Sequence, residues 1–204
     1  MQTSTQRILV WDVPTRVFHW LLAGSFAGAY LTSESERLRD VHVALGYTML
    51  ALIAFRLVWG VIGTRHARFT DFLRGPAAVL GYLGSLLTLR PQHYVGHNPV
   101  GGWAIFGLLG LGLLSGATGY LTYAEVGGEW LEELHEGVAN AMLALVVVHV
   151  LGVVVSGWLH RENLVRAMVS GYKTGAAGEG IRRAHWLLGG LLLAAVLAYW
   201  TGLI

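Results

Sequence analysis

No cysteine occurs among the 204 residues. That absence excludes disulfides, iron–sulfur ligation and thioether attachment of a porphyrin through C-x-x-C-H. Charge is scarce as well: Asp, Glu, Lys and Arg make up 13% of the chain, against about a quarter in a soluble domain. The N-terminal stretch MQTSTQRILVWDVPTR lacks an apolar core ending in a small-residue cleavage site, so we expect no removed signal peptide. No internal repeat is visible. The formal net charge of +2 gives no reason to expect a nucleic-acid partner.

The chain does have apolar residues, 54% of the total, gathered in runs long enough to cross a bilayer. We read five spans in one membrane domain covering residues 1–204, at about 15–32, 42–62, 101–122, 136–158 and 185–203. Pro14 suits a helix entrance, where its missing N–H is no loss. Between the spans, charge segregates. The N-terminal tail (Arg7, Arg16 against Asp12), the loop 63–98 (Arg65, Arg68, Arg74, Arg90 against Asp71) and the loop 159–184 (Arg161, Arg166, Lys173, Arg182, Arg183 against Glu162, Glu179) are net positive. The segments 33–41 and 123–136 are net negative, and the second holds five glutamates with no Lys or Arg. By the positive-inside rule the N-terminus is cytoplasmic and the C-terminus lies on the opposite, periplasmic side. Within the loop 63–98, the apolar run from Val79 to Leu89 contains Gly81 and Gly84 and reads as a surface helix rather than a sixth span.

Topology sorts the nine histidines by depth. His135 and His149 stand fourteen residues apart on one apolar span. At about 1.5 Å and 100° per residue, they leave the same face roughly 21 Å apart. His42 opens the second span at the outer side, and His19 lies one turn into the first, near the inner side. Depth therefore pairs His42 with His135 and His19 with His149. Ionisable residues at membrane depth are rare and usually functional. The pairs lie too far apart for one tetrahedral zinc site. Haem iron needs only two axial ligands, and without cysteine the haem is b-type, so two haems b with bis-histidine ligation are expected, an arrangement that favours electron transfer over oxygen chemistry. The five others, His66, His93, His97, His160 and His185, fall in loops or at interfaces and are read as structural or surface residues.

The second span supports this. Fourteen residues after His42 comes Arg56 on the same face, where a charge is costly unless paired; the propionates of the inner haem are the expected partner. Gly46 and Gly60, again fourteen apart, lie one turn beyond His42 and Arg56 and would let a flat macrocycle approach the backbone. The third span carries glycines suited to close packing in a four-helix bundle. The fifth is expected to be a peripheral helix contacting lipid or a partner.

The segments WDVPTRVFHW at 11–20, HVALGYTMLALIAFRLVWGVIG at 42–63, GHNPVGGW at 96–103, LHEGVANAMLALVVVHV at 134–150 and HRENLVRAM at 160–168 resemble the bacterial cytochrome b561 family, which includes the b-type cytochrome subunit of nickel–iron hydrogenases. The resemblance implies an all-α, up-and-down four-helix transmembrane bundle in a bacterial inner membrane, here with a fifth C-terminal helix. It implies axial ligands at His19 and His149 for one haem and at His42 and His135 for the other, with electron exchange with quinone, ubiquinone being a candidate. The stretch RHARFTDFLRGP at 65–76 is most similar to members found beside small soluble c-type cytochromes. The function expected is therefore electron transfer across the membrane between a periplasmic redox protein, such as a soluble cytochrome c, and the quinone pool. The acidic segment 125–136 suits a basic protein partner. Two alternatives share the haem core: a membrane anchor for a hydrogenase or dehydrogenase, and a superoxide:quinone oxidoreductase, which an acidic outer face disfavours. No catalytic side chain is assigned, and an oligomer is allowed.

Overall fold

The computed structural model describes residues 5–88 and 92–203. Arg90, counted among the charges of the loop 63–98, lies outside the described residues. A short strand β1 (Gln6–Leu9) precedes helix α1 (Val13–Thr32), and a 3-10 turn leads into α2 (Arg39–Ile62). A single turn α3 (Phe69–Phe72) and the helix α4 (Pro76–Leu87) occupy the next loop. Then come α5 (Pro99–Tyr123), α6 (Glu129–His160), α7 (Leu164–Ser170), β2 (Tyr172–Gly175) and α8 (Trp186–Trp200). Helices occupy all five of the stretches read as spans.

Among the described residues, three helices are long and apolar enough to cross a membrane: the one ending at Ile62, Pro99–Tyr123 and Glu129–His160. Helix α1 has 20 residues but carries Thr15, Arg16, His19 and Ser25, which dilute its hydropathy. Helix α8 has 15 residues, about 22 Å at the standard rise, less than a hydrocarbon layer of roughly 30 Å. Helix α4, at 12 residues, is shorter still and lies against α5 as part of the connection.

Local chemistry fixes the helix ends. Asp12 caps α1 by accepting from the Thr15 backbone N–H at 2.8 Å, with Pro14 in the first turn. Asn98 caps α5 in the same way, accepting from Gly101 N–H at 2.7 Å ahead of Pro99. These are the side-chain acceptors and the donor-free residue that a helix start favours. Helix α6 begins seven residues before the expected span. Its first turn holds Glu129 and Glu132, whose charges complement the positive end of the helix dipole. At 32 residues it is about 48 Å long, so its acidic beginning extends past the apolar part.

Helices α1 and α2 pack along one another, as do α5 and α6, and the two pairs join through α2 and α5. Phe18, Leu52, Ile53 and Leu109 form one core cluster, and Phe26, Met49 and Met142 a second. Helix α8 lies against α1, where Gly189 sits on Val13 and Pro14 with no room for a Cβ. Trp200 Nε1 donates to the Thr48 hydroxyl of α2 at 3.1 Å. The fifth helix is thus seated on the bundle, and Trp186, Leu187 and Leu191 remain exposed on its other side.

At the N-terminal end a small cap closes the molecule. β1 runs antiparallel to β2, pairing Gln6 with Gly175 and Leu9 with Tyr172. Val10 and Trp11 N–H donate to Gly171 O at 2.8 and 3.0 Å, and Val13 N–H to Ala184 O at 2.8 Å. Ile8, Val10, Trp11 and Ala167 form its own buried cluster.

Candidate cofactor site

At the end away from the N-terminus, His42 of α2 and His135 of α6 face each other with ring centroids 6.2 Å apart and planes at 87°. Each ring is held from behind. His42 Nδ1 donates to Ala29 O of α1 at 2.8 Å. His135 Nδ1 lies 3.1 Å from Ser115 O and 3.1 Å from the Thr118 hydroxyl of α5. The Thr118 hydroxyl itself donates to Leu114 O at 2.9 Å. A carbonyl only accepts, so the proton of each imidazole sits on Nδ1 and the Nε2 lone pair is left free. Gly119 makes the His135 position available: a Cβ there would meet the ring carbon Cε1 at 2.9 Å.

Between these histidines lies a cleft of about 390 Å³, lined by Phe26, Gly46, Tyr47, Gly112 and Gly116 among others. Such a volume is ordinary for a small-molecule or cofactor site. A Cβ on Gly46 would meet nothing within 4 Å, so the glycine borders open space. Tyr30 donates to Asn140 Oδ1 at 2.9 Å across the cleft, from α1 to α6. Glu34, Glu132 and Glu136 rim its mouth.

At the other end, His149 of α6 lies within electrostatic reach of His19 of α1. The His19 Nδ1 is buried without a hydrogen-bond partner among the described residues, unlike those of His42 and His135. Arg56 is 2% exposed. One of its terminal nitrogens donates to Ala67 O at 2.9 Å, the other has no hydrogen-bond partner among the described residues, and the guanidinium lies over the Phe69 ring at 4.7 Å. Gly60 departs from expectation. The Phe69 ring covers its face and fills the space a Cβ would need, so this glycine seats an aromatic side chain rather than bordering a chamber. The loop 63–73 folds back onto α2, which helical spacing within α2 does not reveal.

Sequence reasoning counted Asp12 only as a charge; the structure makes it a hub. It is 1% exposed and accepts from Trp59 Nε1 at 3.1 Å and from the Thr64 hydroxyl besides capping α1. The dipeptide Asp-Val before Pro14 was the available signal. The loop histidines also take definite places. His66 is buried, with Nδ1 3.2 Å from Asp71 Oδ2 and Nε2 2.8 Å from Glu179 O. Both of its ring nitrogens are thus engaged, one by a carboxylate and one by a backbone carbonyl. The rings of His93 and His160 lie 5.7 Å apart, tilted by 52°, and His185 lies edge-on to Trp59 at 5.3 Å. His97 is wedged between Trp11 and Phe72.

The family model for prokaryotic cytochrome b561 matches residues 10–171. The chain belongs to that family. A b-type cytochrome carries haem b and transfers electrons, and the long apolar helices place it in a membrane. Among curated proteins it is 26% identical over 211 residues to a probable Ni/Fe-hydrogenase B-type cytochrome subunit of Rhizobium leguminosarum bv. viciae, covering 81% of this chain and 88% of the relative. A protein of the same name from Rhodobacter capsulatus is 25% identical, covering 82% and 81%. The probable Ni/Fe-hydrogenase 1 B-type cytochrome subunit of Escherichia coli K12 is 25% identical, covering 61% and 65%. No solved structure matches the chain.

Proposed function

We propose that this b-type cytochrome holds two haems b, one at each depth, and carries electrons across the inner membrane between a periplasmic redox protein and quinone. His42 and His135 would ligate the outer haem, His19 and His149 the inner one. The carrying observation is the His42–His135 pair. Two metal–nitrogen bonds of about 2 Å, each ending on an imidazole whose centre lies just over 1 Å further, separate ring centroids by about 6 Å, and these rings stand 6.2 Å apart. The Nδ1 bonds to Ala29 O and Ser115 O point the free nitrogens inward and raise their basicity, as outer-shell carbonyls do for metal-bound histidine. The open face at Gly46 supports close approach of a flat ring. Arg56, with one nitrogen unspent, would meet a propionate of the inner haem.

When bound, the haems supply one-electron redox chemistry; the protein fixes their depth, ligation and surroundings. The histidine Nδ1 bonds, the apolar packing of Phe26, Met49 and Met142 and the charge of Arg56 are the levers that set potential. The names of the relatives favour a hydrogenase as the outer partner over a soluble cytochrome c. Its docking face would be cationic, because Glu34, Glu132 and Glu136 rim the outer cleft. The same rim disfavours superoxide, an anion, as the donor. In this reading the N-terminus is cytoplasmic, and α1 and α8 join the three long helices in a four-plus-one bundle. A pyridine haemochrome assay on the purified protein tests it: two haems b per polypeptide are expected, and one would overturn it.

A further inference from the structure

His97 precedes the Asn98 cap of α5 and plays no part in the ligation above. Its ring centroid lies 4.6 Å from that of Trp11 and 4.5 Å from that of Phe72. Its Nδ1 is sealed from solvent with no hydrogen-bond partner among the described residues. Arg56, arriving from α2, is in the same condition: one terminal nitrogen spent on Ala67 O, the other without an acceptor among the described residues. Arg56, His149, His66 and Lys173 all lie near enough to act electrostatically on His97. Native proteins leave few buried polar atoms unpaired, so two in one neighbourhood call for an explanation.

The nearby carboxylates are taken. Asp12, which faces Arg56 electrostatically, already accepts from Thr15, Trp59 and Thr64. Asp71 is engaged by His66 and Arg65, and Glu162 by Lys173 at 3.0 Å. Among the described residues, no carboxylate hydrogen-bonds His97 Nδ1 or the second terminal nitrogen of Arg56. Burial, then the nearby charge of Arg56, holds the His97 pKa well below its usual value, so the ring is neutral and has one N–H, which the Nδ1 tautomer would present.

We infer that His97 and the unspent nitrogen of Arg56 form a two-donor seat for a carboxylate on the rim of the inner porphyrin. This rests on the two-haem reading. The inner haem would bring such a carboxylate on each propionate, and His97 lies within electrostatic reach of both Arg56 and the expected ligand His149. Donors on a propionate offset its negative charge and so favour the reduced iron; removing one favours the oxidised form.

The test is a redox titration of His97→Phe, which keeps an aromatic wedge between Trp11 and Phe72, and of His97→Gln, which keeps a donor. For His97→Phe we expect the inner component alone to shift about tenfold toward the oxidised form, about 59 mV lower for a one-electron couple. His97→Gln should recover most of that shift. In protein reconstituted with haem b dimethyl ester, whose carboxylates are blocked, His97→Phe and wild type should titrate alike. An unmoved inner component, an equal shift of both components, or a shift that survives esterification would overturn the seat while leaving the ligand assignment standing. Fewer than two haems per polypeptide would overturn both.

Discussion

Asp12 shows how much one side chain can organise. From a single buried carboxylate it caps α1, fixes the Trp59 indole of α2 and holds Thr64 at the start of the following loop. Hydrogen bonds to a charged group contribute more than neutral ones, so Asp12→Ala should cost about 3 kcal/mol of stability. Thermal unfolding in detergent, compared with Arg7→Ala as an exposed control, would show it; equal unfolding temperatures would contradict the hub role. Gly119 works in the opposite way, by what it omits. Gly119→Val would push a side chain into the His135 ring, and the haem content should fall from two to one per polypeptide. The approach of His42 to His135 was legible because helical periodicity and depth sort side chains without knowledge of packing. His97 and Asp12 were not, because their surroundings come from loops and strands distant in sequence. The Gly60 face was misread for the same reason: Phe69 reaches it from the next loop.

At the level of elements, helices formed where apolar runs announced them, and their ends followed Asp12, Asn98 and the acidic first turn of α6. The pairing of β1 with β2 carried no such signal. Four-residue strands have too few positions for a period-2 pattern to stand out. Helix α8 also exceeded expectation, since its Gly189 contact with α1 and its Trp200 bond to Thr48 tie it to the bundle. Gly189→Leu overfills that contact and should cost about 1–3 kcal/mol. The variant should show faster proteolysis after Thr201 and a lower unfolding temperature with both haems retained. Unchanged unfolding would mean that α8 is held elsewhere.

The whole molecule has a built-in background for mapping its orientation, since it contains no cysteine. Ser33 and Ala177 are exposed at opposite ends of the molecule. In intact cells, a membrane-impermeant maleimide should label Ser33→Cys and not Ala177→Cys; the reverse pattern would invert the proposed topology. The division of labour between the two ends depends on that orientation. One end offers an acidic rim around a histidine-flanked cleft, and the other a capped, cation-rich enclosure around Arg56 and His97.

The most direct test of the central claim is a potentiometric titration of the four single variants His19→Ala, His149→Ala, His42→Ala and His135→Ala. The account predicts two redox components in the wild type. His42→Ala and His135→Ala should each lose the same component, and His19→Ala and His149→Ala the other. Loss of one shared component by His19→Ala and His135→Ala, or retention of both components in any of the four, would contradict it.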